Sequence, residues 1–417
     1  MDDAAALFDA EQADRLPPLL GLACLVVLAG LALRQPLLAF LGAVVAVTLV
    51  LALLWRRVGL RAVHYTRQLS STRAFPGELI TMELILENNK LLPLPWLEVE
   101  DDIPDGLAIR EAQLEPSFKP KTHVLRTLFG IRPYERIRRR YTLIPQRRGV
   151  FRFGPARLRT GDPFGLAFTR QEIDERTELL VYPPLLPLEA FQVPSEHPLG
   201  ERSPLRPFLE DPTRYAGVRP YAPGDAPRRI HWAATARTGK VQVKHFEPGA
   251  TPLLALFLDI NTFQHYWEGL DPEKLEHAIA LCAALARWGL DAGYQVGLYV
   301  NAPQAGGERL IRLLASRHPR QLQRILEALA RLVPYTGYRI ERLLASEARM
   351  LPWGATLAVI TALVTPELER TLIRLYREGH TIALFAVGDA PSLPSRPGFV
   401  IHTLEDLPNA TMAASSA

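Results

Sequence analysis

The stretch "LLALFLDI", Leu253 to Ile260, is a near-continuous apolar run that stops on an acid, Asp259. A run of this length, apolar on both alternating faces, is a strand buried on both sides. The residues C-terminal to it support that reading. "DPEKLEHAIALCAALARWGLDAG" (Asp271 to Gly293) has helical periodicity and a terminal glycine, and "YQVGLYV" (Tyr294 to Val300) is a second strand. "HPRQLQRILEALARLV", "ATLAVIT", "TPELERTLIRLYREG", "TIALFAV" and "GFVIHTL" continue the alternation to Leu404. Buried strands alternating with amphipathic helices specify a doubly wound α/β domain with a mainly parallel sheet, here over residues 251–407. Its helix at Thr365 is delimited by the sequence: Thr365 caps, Pro366 takes the first helical position, Glu367 and Glu369 complement the dipole, and Gly379 ends it.

Upstream the pattern changes. Residues 183–250 are rich in proline and charge and read as a linker followed by a compact motif. Residues 58–182 show short period-2 runs separated by Pro, Gly and Asn, such as "ELITMELILEN" and "GVFRFGPARLRTGDPFG", with no helical segment between them; these specify an antiparallel β-sandwich. Residues 1–15 read as an acidic tail and residues 408–417 as a disordered one.

"LPPLLGLACLVVLAGLAL" (Leu16 to Leu33) and "LLAFLGAVVAVTLVLALLW" (Leu37 to Trp55) contain no charged residue. Each approaches the ~20 residues that cross a bilayer, and Arg34, Gln35 and Pro36 between them are enough to reverse the chain. Residues 16–57 are therefore expected to form a two-helix transmembrane hairpin in contact with membrane lipid. Arg15 before it and Arg56, Arg57 and Arg61 after it outnumber Arg34 in the turn, so the positive-inside bias places both ends in the cytoplasm. This predicts a two-pass protein of the inner (plasma) membrane with its soluble domains in the cytoplasm. Cys24 and Cys282 offer no disulfide framework or Cys-based metal site. A net charge of +4 over 417 residues gives no case for nucleic-acid binding.

The most concentrated chemistry lies in "PGDAPRRIHWAATARTGKVQVKHFE", Pro223 to Glu247. Pro223 and Gly224 make a turn, Asp225 is a candidate cap, and "RRIHWAATAR" reads as about two and a half helical turns closed by Thr238 and Gly239. "KVQVKHFE" then alternates as a strand, with Val241, Val243 and His245 on one face. His231 with Asp225 or Glu247 could form an acid/base pair, but the motif carries no serine nucleophile and no metal set. Arg228, Arg229, Arg237, Lys240 and Lys244 could hold an anion, though no Gly-rich phosphate loop accompanies them. The preferred reading is structural: Ile230 and Trp232 are buried between domains, the arginines pair with acids, and the remainder serves as a protein docking surface. A further basic run, "RPYERIRRRYTLIPQRRG" (Arg132 to Gly149), places Arg136, Arg138 and Arg140 on one strand face, which either contacts anionic lipid or is a solvated edge.

"GVRPYAPGDAPRRIHWAATARTGKVQVKHFE", with "TGDPFGL" and "LLVYPPLLPLE" before it and "LLALFLDIN" after it, resembles the bacterial family catalogued as domain of unknown function 58. The resemblance rests on Gly224, Asp225, Arg228, Arg229, His231, Trp232, Arg237, Gly239 and Lys240. It implies a membrane hairpin, a β-rich domain and a C-terminal domain similar to the von Willebrand factor A fold. It also implies a partnership with MoxR-type AAA+ ATPases in assembly or maturation of other proteins. Von Willebrand A domains often bind a divalent metal through Asp-x-Ser-x-Ser after the first strand. Here the segment reads Asp259, Ile260, Asn261, Thr262, Phe263, and Phe263 offers no oxygen where the second Ser would stand.

The expectation is thus a non-enzymatic, cytoplasm-facing membrane adaptor or scaffold that needs no cofactor and docks such an ATPase. The alternative is a metal-dependent ligand receptor or hydrolase using Asp225, His231 and Glu247, or Asp259, Asn261 and Thr262.

Overall fold

In the computed structural model the described residues are 2–199, 210–222, 227, 230–248, 252–263, 268–303, 310–335, 338–388 and 398–404; residues 2–15, 210–216 and 245–248 are described by their backbone alone. The chain divides into two compact units, Met1–Val181 and Tyr182–Ala417.

The first unit opens with two helices, α1 (Asp2–Ala32) and α2 (Pro36–Val58). Helix α1 begins at Asp2, so it takes in most of the stretch expected to be a tail. The helices reverse at Arg34, which has a positive φ of 52°, and pack through Leu16, Ala23, Leu49 and Ala52. Gly30 allows the closest approach, since a Cβ there would lie 2.5 Å from the backbone nitrogen of Ala39. Helix α2 is long and apolar enough to cross a membrane; the apolar part of α1, Leu16–Ala32, is shorter.

Beyond α2 the unit is built of strands: β1 (Val63–Leu69), β2 (Arg73–Ala74), β3 (Ile80–Asn88), β4 (Leu94–Pro104), β5 (Leu107–Ile109), β6 (Glu115–Pro116), β7 (Thr122–Ile131), β8 (Arg136–Pro145), β9 (Gly149–Phe153), β10 (Ala156–Gly161), β11 (Phe168–Ile173) and β12 (Thr177–Val181). They form sheets ordered β1-β3-β8-β5, β11-β10-β4-β7-β6 and β2-β12-β9. All pairs are antiparallel except β2 with β12. The alternation read from "ITMELILEN" is the cause: Ile80, Met82, Leu84 and Leu86 point into a core shared with Leu97 and Val99 of β4, Leu125 and Phe129 of β7, and Phe153 of β9. Inside this core Arg67 makes a two-point ion pair with Asp101, with Nε 2.7 Å from Oδ2, and Tyr65 donates to the same Oδ2 at 2.7 Å.

The second unit comprises β13 (Glu210–Pro220), α3 (Trp232–Thr238), β14 (Gln242–Pro248), β15 (Leu253–Leu258), α4 (Pro272–Asp291), β16 (Gln295–Pro303), β17 (Leu310–Ser316), α5 (Gln321–Ala330), α6 (Ile340–Glu347), β18 (Thr356–Thr361), α7 (Pro366–Arg377), β19 (Thr381–Val387) and β20 (Phe399–Leu404). Strands β15 to β20 form one sheet in the order β17-β16-β15-β18-β19-β20, parallel except for β17. Ala255 and Phe257 of β15 face a core built with Leu343 of α6 and Leu368 and Leu372 of α7. Helix α4 packs on the opposite face, where Gly289 sits against Leu254. This is a doubly wound α/β arrangement, and it results from strands that are apolar on both faces.

Thr365 caps α7 by accepting from the Leu368 N–H at 3.1 Å, and its hydroxyl donates to Glu341 Oε1 at 2.7 Å. Thr365→Ala is expected to lower the stability of this unit by about 1 kcal/mol, read as a shift in the urea midpoint. Thr365→Ser, which retains both bonds, is expected to leave it in place.

Candidate functional site

Two places in the second unit gather the residues singled out by sequence. The first is the motif around α3. Strands β13 and β14 pair antiparallel, Val218 opposite Lys244 and Arg219 opposite Val243, and Ile230 adds a bridge to Val243. The His231 N–H donates to the Gln242 carbonyl at 2.8 Å, so the chain is still strand-paired where the sequence suggested helix. Helix α3 starts only at Trp232 and spans seven residues. Its cap is His231, whose Nδ1 accepts from the Ala234 N–H at 3.1 Å. Asp225, the expected cap, lies outside the described residues with Gly224, Arg228 and Arg229, as does the side chain of Glu247. Gly239 ends the helix at a φ of 68°, a conformation that favours glycine. The Thr235 hydroxyl then receives the Gln242 N–H at 3.0 Å and ties the helix to β14.

This geometry assigns roles to the described motif residues. An Nδ1 occupied as a helix cap leaves His231 a structural group rather than a base with a free lone pair at that atom. Arg237 is exposed in the last turn, where a cation suits the helix dipole, and Lys240 is exposed just beyond it. Neither stands at the end of α3 that would attract an anion. Trp232 is 71% exposed, and Val218, Tyr221 and Val241 are exposed as well.

The second place is the crevice at the carboxyl ends of the parallel strands. Strands β16 and β18 flank β15, so the chain order reverses there, and Asp259 comes directly after β15. Crevices at such switch points are where α/β sheets bind ligands. Asp259 is 3% exposed. Its Oδ1 accepts from the Asn261 N–H at 3.0 Å, Asn261 Nδ2 at 3.0 Å and Asn301 Nδ2 at 2.6 Å. Its Oδ2 lies 2.9 Å from the Thr361 hydroxyl. Asn301 Nδ2 also donates to the Tyr338 carbonyl, and its Oδ1 receives the Ile260 N–H. Burial pushes the Asp259 carboxyl up to about 6 against the hydrogen bonds from Asn261, Asn301 and Thr361, which work to lower it; Glu341 nearby adds to the rise.

Asp259 and Asn261 are thus brought together, and Thr262 is not. Its Oγ1 accepts from the Asp271 N–H at 2.7 Å at the start of α4. The set does not fit a hard divalent cation, which requires several oxygen ligands. The single buried carboxylate already takes three N–H groups on one oxygen, and the amide nitrogens of Asn261 and Asn301 point toward it. Among the described residues no three His, Cys, Asp or Glu side chains stand together as a metal-ligating group. Asn301 and Thr361 are members of the network that sequence reasoning missed; the only signal for them was one polar residue near the carboxyl end of each of two apolar strands.

The basic strand β8 is half neutralised. Arg136 and Arg140 pair with Glu87 and Glu83 of β3 at 3.0 and 3.1 Å, and Arg139 lies over the Phe129 ring.

Residues 217–398, which take in the described part of both places, match the family described as "Protein of unknown function DUF58". The uncharacterized protein YeaD of Bacillus subtilis (strain 168) is 27% identical over 208 residues, covering 48% of this chain and 48% of that protein. The chain therefore matches about half the length of this curated relative. Solved structures with some likeness include the sporulation control protein Spo0M of Bacillus subtilis, 12% identical over 29% of this chain and 49% of that one, with a TM-score of 0.18. A cohesin module from Clostridium perfringens is 10% identical over 28% of this chain and 96% of that one, with a TM-score of 0.21. Scores this low carry no argument about fold or function.

Proposed function

We propose that the chain is a membrane-anchored adaptor whose α3 motif docks a protein partner. The observation that carries this reading is the exposure of Trp232 on a helix whose own geometry is fixed at both ends. An indole left in solvent on a rigid, capped element suits an interface anchor, since Trp is among the residues that most often carry binding energy. The resemblance to the domain of unknown function 58 family makes a MoxR-type AAA+ ATPase the partner to test first. In this reading α1 and α2 form a two-pass hairpin in the inner membrane, with both soluble units on the cytoplasmic side and a von Willebrand A-like α/β domain presenting the motif. The Asp259 network serves to hold the sheet ends together and not to bind metal.

Co-purification of the ATPase with the full chain from solubilised membranes tests this. Trp232→Ala is expected to weaken retention by at least tenfold, the loss of one interface anchor of about 2 kcal/mol, with the thermal midpoint unchanged because the indole supports no packing. Equal retention by wild type and variant would remove the docking role from α3.

A further inference from the structure

A cleft of about 600 Å³ opens in the first unit where α2 ends. One wall is the last turn of α2 and the loop after it, carrying Arg56, Arg57 and Arg61; the other is the edge strand β11, carrying Arg170. Glu172 is the one acid in the lining, and His64 the one further titratable imidazole. Four guanidinium groups and one carboxylate thus line the cleft, and guanidinium groups stay charged at any pH the protein meets.

The cleft is held in shape by its backbone. Lys90 donates to the Gly59 carbonyl and, at 2.9 Å, to the Arg61 carbonyl, while the Asn89 N–H donates to the Ala62 carbonyl at 2.9 Å. These contacts fasten the end of α2 to the sandwich and fix where Arg57 and Arg61 project. Arg136 and Arg140 of β8, by contrast, each meet an acid. Among the described residues the guanidinium groups of Arg57 and Arg61 meet no carboxylate. Paired phosphate oxygens are the natural counterpart of such forks.

The position selects the source of the phosphate. Arg56 and Arg57 directly succeed Trp55, the last residue of the apolar stretch of α2, and basic pockets at that depth meet the headgroup layer. A cleft of this size also lies within the range of sites that enclose a small ligand. We propose that this cleft binds the phosphate headgroup of an anionic phospholipid, so that lipid bridges the membrane helix and the β11 edge of the sandwich. The proposal rests on the membrane-anchor reading of α2.

The test uses the full chain expressed in membranes and then released in mild detergent. Alkaline carbonate washing reads anchorage first, and native mass spectrometry then counts retained phosphatidylglycerol and phosphatidylcholine after exchange from vesicles of known composition. Wild type is expected to stay with the membrane and to retain phosphatidylglycerol in preference to phosphatidylcholine. Arg57→Gln with Arg61→Gln, both at exposed positions, is expected to lower that retention roughly thirty-fold, whereas Arg138→Gln on β8 leaves it unchanged. Inorganic phosphate at millimolar concentration is expected not to displace the lipid.

A chain that washes off the membrane overturns the anchor reading. A chain that stays but retains both lipids alike, or whose double variant retains phosphatidylglycerol as wild type does, overturns the lipid site alone. Displacement by inorganic phosphate would make the cleft a site for a free anion and overturn the assignment to lipid.

Discussion

Asp101→Ala is expected to destabilise the first unit by about 3–5 kcal/mol. The side chains of Asp101 and Arg67 are both fully buried in the sandwich core. Burial alone would weaken the charge on Arg67, but the Asp101 carboxylate outweighs it and raises the guanidinium pKa. Burial likewise raises the Tyr65 phenol well above its ordinary value, assisted by Asp101, so Tyr65 remains a neutral donor. Removing Asp101 leaves a charged guanidinium and a phenol with no acceptor in an apolar core. The weaker contacts of Arg67, to the Glu175 carbonyl at 3.3 Å and the Thr177 hydroxyl at 3.4 Å, cannot replace a two-point carboxylate.

The measurement is hydrogen exchange of the full chain in detergent, read at the amides of β1, β3 and β4, because it isolates this unit from the rest. Replacing Arg67 with Met, Asp101 with Leu and Tyr65 with Phe together is expected to recover most of the protection, since an apolar core of similar volume needs no pair. A single Asp101→Ala effect below about 1 kcal/mol would mean that water reaches Arg67 and that the pair is not sealed.

What the residues announced and what they concealed divide along physical lines. Leu253 to Leu258, Thr356 to Thr361 and Thr381 to Val387 are apolar on both faces, and that pattern has few outcomes besides a central parallel strand. Thr365-Pro366 declares a helix start because the hydroxyl and the ring both act locally. Asp259 was legible as a strand-end acid for the same reason. The α3 motif was not, because its boundaries depend on contacts across space: Ile230 is claimed by Val243, and His231 caps although histidine is not a usual cap residue. Seven residues are also too few for periodicity to say which side Trp232 faces. Arg136 and Arg140 read as a basic face until register set them opposite Glu87 and Glu83. Arg170 lies more than a hundred positions from Arg57, and no local pattern joins them.

Asp259→Asn is expected to stabilise the second unit by about 3 kcal/mol at pH 7 and to remove part of its pH dependence. The folded carboxyl titrates at about 6 against 3.8 for the free group, and each tenfold in that gap is worth about 1.4 kcal/mol. The folded domain therefore binds this proton more tightly than the unfolded chain. The contribution of Asp259 to stability is fully present below about pH 4, is lost as the pH rises through about 6, and stays lost above.

Geometry gives the same direction. The Thr361 hydroxyl has one proton, yet it lies 2.9 Å from both Asp259 Oδ2 and the Leu363 carbonyl while accepting from the Leu363 N–H at 3.0 Å. One proton cannot serve both oxygens. A protonated Asp259, or an asparagine amide, donates to Thr361 and frees that proton for Leu363. The asparagine oxygen would still accept from Asn261 and Asn301.

Urea denaturation monitored between pH 4 and pH 7.5 is expected to show the variant gaining on wild type as the pH rises and matching it at the acid end, with other carboxylates cancelling in the difference. Loss of stability at neutral pH instead would show that the ionised carboxylate is what the crevice holds, and would return Asp259 to consideration as the ligand of a cation.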